Sequence, residues 1–119
     1  MTGTSDVAAA LDALPSGVTE LACEIRRFAR AMGVSLVETV KWGQPSFAPP
    51  PREGTPVRLG WEAGRPALYV HCSSPVAAMF RDLAPDADVR GNRCYIPQGA
   101  QDPALPVFLD MAFSYKKAR

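Results

Sequence analysis

The feature that most constrains this fold is a change of period at Val57. From there Val57, Leu59 and Trp61 alternate with Arg58, Gly60 and Glu62; past Ala63-Gly64, the residues Leu68, Val70 and Cys72 alternate with Tyr69 and His71. Strict alternation marks a half-buried strand, because successive side chains point to opposite faces. Two such runs joined at a glycine-containing turn predict a hairpin. If Glu62 faces Arg65, then Leu59 faces Leu68 and Val57 faces Val70. The apolar halves then fall on one side, and Arg58, Tyr69 and His71 share the other. A second hairpin is expected where Val89, a Gly91-Asn92 turn and Cys94, between Arg93 and Tyr95, lead to Ile96 and a closing Pro97.

Around the hairpins the period is helical. Thr4 or Ser5 can cap a first helix through Leu14, with Val7, Ala10, Leu11 and Leu14 on one face, before Pro15 and Gly17 break it. Val18, Leu21, Ala22, Ile25, Phe28, Ala29 and Met32 trace a second helix that Gly33 ends in a left-handed cap. Ser35 and Glu38 have the spacing of a capping box, which predicts a short third helix to about Lys41, cut off by Gly43 and Pro45. "APPPREGTP", residues 48–56, reads as an exposed proline-rich loop, a linker or a lid, with the linker preferred. Ser74 as cap and Pro75 at the first turn begin a fourth helix that buries Val76, Met79, Phe80 and Leu83. A last helix from about Pro103 turns Leu105, Phe108, Leu109, Ala112 and Tyr115 inward. The expected fold is α+β: one domain over residues 1–119, an antiparallel sheet of hairpins packed against N-terminal and C-terminal helices.

Composition bounds the function. Thirteen basic against twelve acidic side chains leave a net charge of +1, without the electrostatic footprint of a nucleic-acid or anionic-lipid binder. The basic tail "KKAR", Lys116–Arg119, reads as a solvated helix end. No segment approaches the roughly 20 apolar residues of a membrane helix. The first residues lack the basic start and apolar run of a secretory signal, so a cytoplasmic protein is expected. Cys23, Cys72 and Cys94 are odd in number and widely spaced, which suits free, mostly buried thiols rather than a disulfide framework or a CxxC site. His71 and Cys72 are neighbours in a strand and point to opposite faces, so they are poorly placed to share a metal or to act as nucleophile and base. No catalytic residue is nominated, and no GxGxxG, P-loop, HExxH or GxSxG motif occurs.

"ETVKWGQPSF", Glu38 to Phe47, admits two readings. As a joint, Gly43 lets the chain leave a helix, Pro45 forbids its return, and Trp42 and Phe47 plug the junction against the sheet. As a site, Lys41 and Gln44 stand at the mouth of a candidate ligand pocket with Trp42, Phe47, Tyr69 and His71. The stretch resembles the E-x-x-K-W-G-x-P-x-F element of the YdhG-like group, small bacterial proteins with members described as frataxin-like intracellular iron chaperones. "RPALYVHC" is similar to that group's central strand, and "GNRCYIPQGAQDPALPVFLDMAF" to its closing hairpin and helix, so the resemblance covers most of the chain from residue 20 onward. It implies iron binding through surface acidic residues. Among the residues themselves, Asp82, Asp86 and Asp88 are the densest acidic run and only weak metal candidates, with turn, capping or solvation roles the default. No cofactor is predicted, and iron enters by resemblance alone. The expected function is a small binding module for a small ligand or partner protein, monomeric or homodimeric and not an enzyme. An iron chaperone and a small enzyme of unknown reaction are the alternatives.

Overall fold

A computed structural model describes residues 4–115 of the chain. Helices α1 (Thr4–Asp12) and α2 (Val18–Ala31) precede strands β1 (Val37–Lys41), β2 (Gln44–Ala48), β3 (Val57–Glu62) and β4 (Arg65–Tyr69). Helix α3 (Val76–Leu83), strands β5 (Val89–Arg90) and β6 (Arg93–Tyr95), a 3-10 turn at Gly99–Gln101 and helix α4 (Ala104–Ser114) complete the chain. The strands form one antiparallel sheet in the order β1-β2-β3-β4-β6-β5. This is the α+β class that the two periods predict. No helix among the described residues is long and apolar enough to cross a membrane.

Alternation decides which face of the sheet the helices cover. Phe47, Val57, Leu59, Leu68, Val70, Cys94 and Ile96 are buried together with Val7, Leu21, Ile25, Phe80, Leu105 and Phe108 from the helices. Each fully buried side chain of this size contributes about 1.5–3 kcal/mol of transfer free energy. Phe80 meets Phe108 edge to face, their ring centroids 5.2 Å apart. The central hairpin has the expected register, Glu62 opposite Arg65 and Leu59 opposite Leu68. Gly91, at φ 58, opens the tight turn between Arg90 and Arg93. Gly33, at φ 76, ends α2 as expected: its N–H bonds the Arg30 carbonyl at 3.0 Å, and that of Val34 bonds Ala29 at 2.8 Å, the paired closure of a Schellman motif. Ser74 accepts the Val76 N–H at 3.2 Å, but the cap position of α3 is Pro75, one residue later than expected.

The expected third helix is a strand. Ser35 and Glu38 imitate a capping box, but both Glu38 carboxylate oxygens are taken by Arg26 of α2, at 2.8 Å each. Val37, Thr39 and Val40 are β-branched and favour the extended chain. Lys41 and Gln44 flank a two-residue turn in which Trp42 (φ 54) and Gly43 (φ 74) are both left-handed, the type I′ geometry of a tight hairpin. The joint is therefore the tip of a β-hairpin, and Trp42 is no plug: it is 83% exposed. Pro45 is tolerated because its missing N–H falls on the side away from β1, and β2 pairs with β3 only through Ser46 and Phe47.

Smaller differences have equally local causes. Helix α1 ends at Asp12, short of Leu14; what caps its start lies outside the described residues, as does the tail Lys116–Arg119. Met79 and Leu83 are exposed, because the short α3 turns Val76, Ala77 and Phe80 inward instead. Cys23 and Cys72 are exposed and only Cys94 is buried, against the expectation of mostly buried thiols. The proline-rich segment is no free linker. Thr55 is buried, and its N–H donates to the Ala112 carbonyl of α4 at 2.7 Å.

Candidate functional site

The six residues of the expected pocket do not converge. Lys41 and Trp42 stand exposed at the tip of the β1-β2 hairpin, whereas Phe47 lies in the core beneath Arg26, whose guanidinium is 5.9 Å from the ring centroid. Gln44 and Tyr69 lie on the opposite face of the sheet, and His71 follows β4 at its end. A helical turn would have grouped Lys41, Trp42 and Gln44; the strand sends Gln44 and Phe47 to opposite faces.

The face away from the helices carries a lattice of arginines and tyrosines centred on Glu62. Tyr69 donates its hydroxyl to Glu62 Oε1 at 2.6 Å, Tyr95 donates to Oε2 at 2.8 Å, and Arg93 Nη1 reaches both oxygens at 2.6 Å. These donors, Tyr69 first, then Tyr95 and Arg93, hold the Glu62 carboxyl down at about 2. Burial, and then the bond to Glu62, push the Tyr69 phenol up to about 12. Arg58 lies 5.6 Å and Arg93 5.3 Å from the Tyr69 ring centroid, while Arg65 sits 4.0 Å from that of Tyr95. Asp88 joins the lattice through Arg65 at 2.7 Å and Arg90 at 3.1 Å. Gly60 makes room beneath it, since a Cβ there would press on the Gln44 amide and come within 2.9 Å of the Tyr69 ring.

The lattice is largely closed on itself. Arg93 is held by Glu62, and Arg65 and Arg90 by Asp88. Of the lattice arginines, Arg58 alone has no carboxylate partner among the described residues; it donates to Gln44 Oε1 at 3.3 Å and the Val70 carbonyl at 3.4 Å. Its chemistry is that of a rigid, salt-sensitive clasp across β3, β4 and β6. Parity in the sequence already placed Arg58 beside Tyr69. The pairing of β4 with β6, which brings in Arg93 and Tyr95, has no local signal.

A broad concavity lies elsewhere. An open groove of about 1060 Å³ runs between the proline-rich segment and the turn after β4. Pro49, Pro51, Pro56 and Tyr115 supply apolar wall, and Arg52, His71, Ser73 and Ser74 the polar groups. His71 Nδ1 accepts the Ser73 N–H at 3.1 Å and lies 2.7 Å from Ser73 Oγ, so in the neutral ring the proton belongs on Nε2. Of the candidate residues only His71 reaches this groove. The sequence signal for it was the proline-rich segment, read as a linker.

The acidic candidates also stay apart. Asp82 and Asp86 are exposed, and Asp88 is engaged by two arginines. No group of three or more His, Cys, Asp or Glu placed to hold a metal occurs among the described residues. Comparison with protein-family models, curated proteins and solved structures finds no match to the chain.

Proposed function

We propose that the chain is a cytoplasmic binding module that holds a small organic ligand, carrying an anionic group, in the proline-walled groove. The observation that carries this reading is the groove itself, whose volume of about 1060 Å³ lies just above the roughly 300–1,000 Å³ typical of small-molecule sites. Proline rings and Tyr115 offer a stiff apolar surface that loses little side-chain entropy when covered. Arg52 brings a cation that has no ion-pair partner among the described residues, and His71 a ring whose Nδ1 is taken by Ser73. A carboxylate or phosphate at that end, with an apolar body along the prolines, matches this division.

Binding is favoured over catalysis because Ser73 lends its backbone N–H to the same His71 nitrogen that faces its hydroxyl. That arrangement pins a local turn. Iron delivery, the alternative brought by resemblance to the YdhG-like group, would have to displace Arg65 and Arg90 from Asp88. The test is a native mass spectrum of protein taken from cells, followed by NMR titration with a set of aryl carboxylates. Shifts confined to residues 48–56, 71–75 and 115, lost in Arg52→Ala, are expected. A bare spectrum, together with no saturable shift at those positions, would sink the proposal.

A further inference from the structure

The two edges of the sheet are not alike. Strand β5 is two residues long, and its Arg90 is drawn onto Asp88 and the Tyr95 ring, so this edge is short and charged. Such features protect a sheet from pairing with another chain. Strand β1 is five residues long and carries Val37, 61% exposed, at one end and the exposed Trp42 just beyond the other. Lys41 and Gln44 close a two-residue turn and exchange backbone bonds, so the N–H and C=O groups of Lys41, Thr39 and Val37 face β2. Those of Glu38 and Val40 face outward, and no bond among the described residues takes them.

We propose that β1 pairs antiparallel with β1 of a second copy, joining the two sheets across a two-fold axis at Thr39. Opposed residues in an antiparallel pair share a face, which restricts the axis to a residue rather than a bond. An axis at Glu38 would set two like charges directly opposite. One at Val40 would bring Glu38 against Trp42, which is left-handed and cannot continue the ladder. The axis at Thr39 lets Glu38 of each copy exchange backbone bonds with Val40 of the other, sets Thr39 against Thr39, and sets Lys41 against Val37. It also carries each Trp42 past the end of the strand toward Leu36 and Val37 of the other copy. The most exposed large apolar residues at this edge are thereby covered twice by one symmetric operation. The strained conformation of Trp42, which holds a large ring out at the hairpin tip, acquires a role.

The pairing does not depend on the groove. Sedimentation equilibrium of the full chain is the test, over concentrations bracketing the micromolar affinity suited to so small an interface. The wild type is expected to reach a dimer. Thr39→Lys and Thr39→Glu, whose side chains lie on the face away from the core, are expected to stay monomeric with unchanged circular dichroism, and an equimolar mixture of the two to associate. Trp42→Ala is expected to weaken the dimer about tenfold, as removal of an anchoring aromatic does, and serves as the independent variant should a Thr39 variant misfold. A wild type that remains monomeric, a Thr39→Lys protein that dimerises like the wild type, a mixture that fails to associate, or an unchanged affinity in Trp42→Ala would each overturn the proposal.

Discussion

Trp42→Asn is expected to stabilise the monomer. Trp42 holds φ 54 at the first central position of the β1-β2 turn, and 83% of its surface faces solvent. A left-handed backbone costs an ordinary L-residue roughly 1–2 kcal/mol. Asparagine tolerates that region, and Asn-Gly is the preferred pair for a type I′ turn. Little burial is lost with an indole so exposed, so the net gain is about 1 kcal/mol. For a domain of this size that corresponds to a rise of about 4 °C in Tm. In urea, with a slope of about 2 kcal/mol per molar, it is a midpoint shift of roughly 0.5 M. Circular dichroism at concentrations low enough to keep the chain monomeric is the assay. A loss of about 3–5 kcal/mol, the cost of removing a buried aromatic, would refute the exposed-turn reasoning.

The Glu62 carboxyl lies at about 2 in the fold against 4.5 as its ordinary value, so its contribution to stability is complete above pH 4.5 and disappears as the pH falls toward 2. Thermal melts of the wild type should fall more steeply over that window than those of Glu62→Gln; equal slopes would disconnect the lattice from folding. A thiol reagent should label Cys23 and Cys72 quickly in the native chain, and Cys94 only on unfolding, because burial pushes its thiol up to about 12. Uniform labelling of all three would contradict the packing of β6. Gly54→Ala should cost about 1–3 kcal/mol by urea denaturation, since its Cβ would fall on the Phe113 carbonyl; an unchanged midpoint would mean that the proline-rich segment is not seated on α4.

What the sequence disclosed was what neighbouring residues decide among themselves. Gly33 after the apolar stripe of α2, Gly91-Asn92 between alternating runs, and the Glu62 to Arg65 turn each state their geometry within a few residues. The segment from Ser35 to Lys41 misled because one spacing carries two meanings. Serine and glutamate three apart can cap a helix, but Glu38 belongs to Arg26 twelve residues earlier, and the β-branched Val37, Thr39 and Val40 prefer the strand. That single reversal dispersed the expected pocket. The groove stayed illegible for a different reason: the pairing of β3 with β4 sets residues 48–56 beside 71–75, but the bond from Thr55 to Ala112, which seats the proline-rich segment on α4 near Tyr115, has no local signal.

The position of α2 has a consequence for folding during synthesis. Its apolar stripe is closed in part by the 3-10 turn at Gly99–Gln101 and by α4, roughly 70 residues further along the chain. At about 5–20 residues per second those partners emerge on the order of 4–14 s after α2 itself. Through that interval the most amphipathic helix of the protein waits with part of its face uncovered, while the hairpins beside it can already form. A nascent chain stalled before Gly99 would therefore leave part of the apolar stripe of α2 uncovered, and this incomplete species, more than the finished domain, is where aggregation and chaperone capture are to be sought.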